Sequence, residues 1–157
     1  MRLRGIAASF AFFSLSFILI LIACAGSAEK RNVETTVREY NNALIKAFAA
    51  MDFEALKAVT TGREYNKVSI YIMSYAGQDE KFNARLLRLD IRKIRVHGNN
   101  ADAVTSEEWE YEKVNATTGE VVRQKTLYVY EMNYHLLKDK GTWKVDQLTI
   151  LKESEKR

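Results

Sequence analysis

Tyr134-His135-Leu136-Leu137-Lys138-Asp139-Lys140-Gly141-Thr142-Trp143-Lys144-Val145 has the pattern of two strands joined by a tight turn. Upstream of its Asp139-Lys140-Gly141 turn, Tyr128, Tyr130, Met132, Tyr134 and Leu136 alternate, so they share one face of a strand. That strand is expected over Glu120 to Lys138, long enough to require a bend or bulge. Thr142 to Leu151 returns beside it. Working back, Asn115-Ala116-Thr117-Thr118-Gly119 closes a strand from Ala101 to Val114. The turn residues His97-Gly98-Asn99-Asn100 close another from Ala84 to Val96.

Before Gly77 the period is helical. Val33, Val37, Tyr40, Leu44, Ala47, Phe48 and Met51 fall three and four apart on one helix face, with Asn32 as its expected cap. Asp52 is placed to cap a short helix carrying Phe53, Leu56 and Val59. Thr61-Gly62-Arg63-Glu64 has capping-box spacing ahead of Tyr65, Val68, Ile72 and Tyr75, and Gly77 is the expected stop. Three helices followed by four hairpin-linked strands predict an α+β domain, its helices packed on a curled four-stranded antiparallel sheet.

Two segments carry a family resemblance. Tyr40 to Val59, with its Ala49-Ala50-Met51-Asp52-Phe53-Glu54-Ala55-Leu56 join, looks like the entry to the nuclear-transport-factor-2-like superfold. The closing hairpin, whose Gly-containing turn leads into Trp143-Lys144-Val145, is similar to that fold's last hairpin. The resemblance covers residues 33 to 151 and implies a cone-shaped interior. Its members include ketosteroid isomerase-like and polyketide cyclase-like enzymes, silent binding domains and dimerisation domains, so the fold alone assigns no function.

The amino terminus carries an address. Arg2 and Arg4 precede an uncharged run from Ile6 to Ala23, the n-region and h-region of a secretory leader. The run ends Leu21-Ile22-Ala23-Cys24, which resembles the lipobox of bacterial lipoproteins. The resemblance implies cleavage after residue 23, lipidation of Cys24 and a membrane anchor of acyl chains. It also implies an extracytoplasmic location in the cell envelope, on the periplasmic face of the outer membrane if the host is diderm. An apolar run of this length also just reaches a bilayer span, so a retained anchor stays open, as does an ordinary signal peptide with a chance cysteine. Residues 24–32, small and polar, read as the lipidated cysteine and a tether, and 152–157 as a charged tail.

Composition excludes several classes. One cysteine leaves no internal disulfide framework and no cysteine-based zinc site. Lys and Arg exceed Asp and Glu by 24 to 20, an excess halved once the leader's two arginines are set aside, too small to imply nucleic acid. No phosphate loop, metal-ligand spacing or nucleophile motif occurs, so neither cofactor nor metal is expected.

Candidate chemistry is thin. Enzymes of the resembled superfold use a carboxylate or histidine inside the cone, for which the weak candidates are Asp90, Glu131, His97 and His135. His97 belongs to a turn, and Glu131 and His135 lie about 13 Å apart along one strand. The acids Glu107 to Glu112 read as a wet surface facing the basic strand of Arg85, Arg88, Arg92, Lys93 and Arg95. Arg88 is expected near Glu110 or Glu112, and Arg92 near Ser106 or Glu108, as cross-strand ion pairs rather than an anion-binding stripe. The aromatic face of Tyr128, Tyr130 and Tyr134, with Trp109 and Trp143, suits core, an interface or a ligand pocket.

The expected function is therefore a membrane-anchored lipoprotein with a non-catalytic binding domain, self-associating or docking an envelope protein through its open sheet face. The alternative is a small-molecule enzyme or carrier using the cone interior. An open cavity lined by Tyr plus one buried carboxylate or His favours the alternative, and a filled cone favours docking outside.

Overall fold

The computed structural model describes residues 7–156, with side chains from Gly26 onward. The start of the leader and the side chain of Cys24 lie outside the described residues. Among the described residues no helix is long and apolar enough to cross a membrane. Helix α1 (Ala7–Ala50) is followed by α2 (Glu54–Val59), α3 (Gly62–Ala76) and strands β1 (Glu80–His97), β2 (Asn100–Asn115), β3 (Val121–Asp139) and β4 (Thr142–Lys156). The strands pair in chain order, all antiparallel, as the alternation predicts.

The apolar stripe of α1 packs as expected: Val33, Val37, Tyr40, Ala43, Ala47 and Phe48 are buried. Against it lie Ala101, Ala103, Trp109, Tyr134, Leu136, Trp143 and Val145 from the concave face of the sheet. Burying each such Val or Leu contributes roughly 1.5–3 kcal/mol. Met51 leaves the stripe, because the helix ends there with a left-handed φ of 54°. A parallel bridge between Thr60 and Val145, with Thr61 N–H donating to the Val145 carbonyl at 2.9 Å, stitches the α2–α3 junction to β4.

Four expectations need correction. Residues 26–32 are helix rather than tether, and Asn32 lies inside α1. Glu29 fixes that turn by accepting from Lys138 Nζ at 2.7 Å and Trp143 Nε1 at 2.8 Å. Residues 152–156 are strand rather than tail, pairing Lys152 with Glu131 through Lys156 with Leu127. Thr61 makes no side-chain cap; its hydroxyl donates to Asp146 at 2.7 Å, and Glu64 turns inward instead of closing a capping box. Register also differs. Extra residues at Leu87 and Arg92 bulge β1, so Arg88 faces Glu108 and Asp90 faces Ser106. The bend expected in β3 falls at its start, where its pairing with β2 shifts between Tyr111 and Val114.

One end of the sheet holds the turns around Gly98 and Gly141, both at positive φ where glycine is favoured. The amino-terminal part of α1 reaches this end through Glu29. Phe48, near the other end of α1, meets Phe82 at the start of β1 with ring centroids 5.7 Å apart. Helix α1 and β1 thus run antiparallel, and the two ends of the cone differ in chemistry.

Candidate functional site: a tyrosine-lined cone

At the end away from those turns the cone is open, with a cavity of about 750 Å³. Its wall is aromatic: Phe48 from α1, Tyr71 and Tyr75 from α3, Phe82 from β1, Tyr111 from β2, and Tyr128 and Tyr130 from β3. Phe48 meets Tyr71, Phe82 and Tyr111 edge-on at 5.7 to 6.4 Å. Tyr128 and Tyr130 stack at 5.9 Å, and Trp109 behind the wall stacks on Tyr111 at 5.6 Å. Leu44, Val68, Met132, Leu148 and Ile150 complete the apolar surface.

The polar groups on this wall are mostly engaged. Glu64, 1% exposed, accepts from the Tyr40 hydroxyl at 2.9 Å, from Lys67 Nζ at 3.1 Å and from Leu148 N–H at 3.3 Å. Lys113 Nζ pairs with Glu80 at 2.8 Å and lies 5.1 Å from the Tyr75 ring centroid, a cation–π contact. Arg123 Nη2 donates to the Tyr128 hydroxyl at 3.0 Å. Glu153 at the mouth has no ion-pair partner among the described residues. Burial, then the negative charge of Glu153, pushes the Tyr130 phenol well above its ordinary range. Burial does the same for Tyr111; Tyr71 is half-exposed, and its buried part together with the bond to the Tyr75 hydroxyl raises its phenol. These hydroxyls remain protonated donors at any physiological pH.

A second buried acid stands behind the wall. Glu107, also 1% exposed, accepts from Thr105 Oγ1 at 2.8 Å, Trp109 Nε1 at 2.8 Å and the Tyr134 hydroxyl at 2.6 Å. The Tyr134 oxygen in turn accepts from Asn41 Nδ2 at 3.1 Å. Burial, followed by the Glu107 charge, raises the Tyr134 phenol far above normal, and burial beside Glu64 does so for Tyr40. Glu107 is thus a core acid rather than part of a wet surface.

The residues singled out from sequence separate. Tyr128 and Tyr130 line the cavity, while Tyr134, Trp109 and Trp143 are core. Glu131 is exposed opposite Lys152. His135 Nδ1 lies 3.2 Å from Asp102 on the outer sheet face. Asp90 Oδ2 sits 2.7 Å from Arg88 and 3.6 Å from Arg92. None of these three acids and histidines reaches the cavity. Sequence reasoning passed over Glu64 and Tyr40 as site residues, and among the described residues no cluster of side chains suits a metal ion.

This curled cone of helices on four antiparallel strands has the nuclear-transport-factor-2-like fold. The intermembrane space region of chloroplast protein ARC6 superposes with a TM-score of 0.70 at 20% identity, over 78% of this chain and 95% of that one. A ketosteroid isomerase-like protein from Erwinia carotovora atroseptica SCRI1043 superposes with a TM-score of 0.54 at 18% identity, over 81% and 95%. At these identities the likeness is one of fold. No family model matches the sequence, and no curated protein matches it.

Proposed function

We propose that this chain is a membrane-anchored lipoprotein whose cone holds a small, largely apolar molecule without converting it. The observation that carries the reading is the aromatic cavity of about 750 Å³, a size suited to a small ligand. It favours the small-molecule alternative over docking through the outer sheet face. Its buried carboxylate argues for carriage over catalysis. Glu64 is already held by Tyr40, Lys67 and a backbone amide, so a proton shuttle there would have to break those bonds first. The anchor rests on Leu21-Ile22-Ala23-Cys24 in the sequence.

Binding is tested with the full chain in lipid nanodiscs, its methionine methyls labelled with carbon-13 and 2-naphthol as the probe. The Met132 resonance should shift and saturate, with Met51, outside the cavity, unmoved. Val68→Trp, which fills the cavity, should abolish the shift. A linear response, or equal shifts at Met51, overturns the reading. Anchoring is tested separately by intact mass: lipid on Cys24 is expected, and an unmodified cysteine or a chain still starting at Met1 removes it.

A further inference from the structure

A second cleft, of about 560 Å³, runs between α1 and the bulged middle of β1. Five of its lining residues are basic and two acidic. Lys30 and Arg38 come from α1; Arg88, Arg92 and Lys93 come from β1. The acids are Glu34 and Asp90. Glu34 is taken by Arg38 at 2.7 Å, and Asp90 is shared between Arg88 and Arg92. Lys30 and Lys93 have no ion-pair partner among the described residues, and both are exposed.

The acids of β2, expected to cancel this charge, do not. Glu107 points into the core. Glu108 pairs with Lys156 at 2.6 Å, Glu110 with Arg85 and Lys125, and Glu112 accepts from Asn83. The bulges at Leu87 and Arg92 displace the register that would have matched the two strands. The cleft therefore keeps a net positive charge.

Its position gives that charge a partner. Residues 24 to 30 lie within the continuous helix α1, so Lys30 stands about 9 Å along the axis from Cys24, at the level of the headgroup layer if Cys24 is lipidated. The cleft opens there and continues along α1 toward Arg38. Glu29, held by Lys138 and Trp143, fixes the helix to the domain, so the cleft's orientation toward the bilayer is rigid rather than averaged over a flexible tether. Ile91 and Ile94 beside the basic groups give the cleft an apolar margin.

We propose that this cleft binds the phosphate of an anionic phospholipid headgroup in the membrane that carries the anchor. Guanidinium and ammonium groups around one cleft suit a phosphodiester, and basic segments beside an anchor are drawn to anionic leaflets. The consequence is a fixed posture. The turn end of the cone lies against the bilayer and the tyrosine-lined cavity faces away from it.

The inference rests on the membrane-anchored reading, and the test separates the two. The full chain is placed in nanodiscs of phosphatidylcholine alone or with 30% phosphatidylglycerol, and lysine acylation is followed by mass spectrometry. Labelling of Lys30 and Lys93 should fall several-fold with phosphatidylglycerol, while exposed Lys46, outside the cleft, stays constant. Arg92→Glu should abolish the difference; Lys30→Glu, on an exposed helix position, should do so for Lys93 if the strand variant unfolds. Equal labelling in both discs overturns the proposal. So does equal protection by inorganic phosphate in phosphatidylcholine discs, which would make the site one for free phosphate. An unlipidated Cys24 by intact mass sinks the anchor alone, because a thiol-reactive lipid in the disc can then hold the chain through Cys24, its one cysteine, for the same labelling measurement.

Discussion

The Tyr134 hydroxyl donates a 2.6 Å hydrogen bond to Oε1 of Glu107, joining β3 to β2 through a carboxylate that is almost wholly buried. Its other two donors are Thr105 and Trp109, and neither partner carries a charge. A buried carboxylate held by neutral donors depends on every one of them. Tyr134→Phe keeps the ring and removes one donor, so it should destabilise the fold by about 1–3 kcal/mol. Thermal melting followed by tryptophan fluorescence checks this; an unchanged midpoint would mean the bond is not formed in solution.

Phe48 should prove the most sensitive residue of the cavity wall. It is 7% exposed and makes three edge-on ring contacts. Phe48→Ala removes them all, and such truncations cost about 3–5 kcal/mol where the site cannot collapse. Here the void merges with an existing cavity, so the lower part of that range is expected, together with a changed affinity for 2-naphthol. A loss under about 1 kcal/mol would show the wall closing inward.

Much of the architecture was legible because it depends on local periodicity. The stripe from Val33 to Phe48 and the alternation from Tyr128 to Leu136 both fix a buried face without reference to distant residues. The buried acids were not read correctly, although one signal existed. Glu107 shares its parity on β2 with Ala101, Ala103, Thr105 and Trp109, all buried, so alternation places it inside despite its charge. The helical turn at Glu29 had no such signal. Its partners lie 109 and 114 residues away, and a small polar segment reads as tether until Lys138 and Trp143 are placed beside it. The bulges at Leu87 and Arg92 were likewise invisible, since neither glycine nor a break in charge marks them.

That Glu29 contact gives a prediction in acid. The hydrogen bond from Lys138, then that from Trp143, holds the Glu29 carboxyl below the usual carboxylate range. A lowered folded-state value stabilises the attachment of α1 above the unfolded value, and this contribution is lost as pH falls through the folded one. The Trp143 indole N–H resonance should therefore shift with a midpoint below the ordinary glutamate value of about 4.3. Glu29→Gln should remove the transition. A midpoint at the ordinary value would place Glu29 free in solvent, and the rigid posture of the basic cleft would go with it.

The alkaline limit is set by the tyrosines. Five of the eight, Tyr40, Tyr71, Tyr111, Tyr130 and Tyr134, have phenols raised above the ordinary range, in each case first by burial. A raised value in the folded state means the fold keeps protons that the unfolded chain releases near pH ~10. The stability they contribute is present in full below that pH and is lost progressively as pH rises toward the folded-state values. Absorbance at the phenolate band should therefore show these five phenols still protonated while the fold persists. Their ionisation should coincide with the loss of tryptophan fluorescence signal. Tyr134→Phe should bring that collapse to lower pH by weakening the core around Glu107, and should reduce the cooperative step by one phenol. If instead all eight tyrosines titrated smoothly while the fold remained intact, the cone would be open to water along its whole wall. Both the buried network and the apolar cavity would then be wrong for the protein in solution.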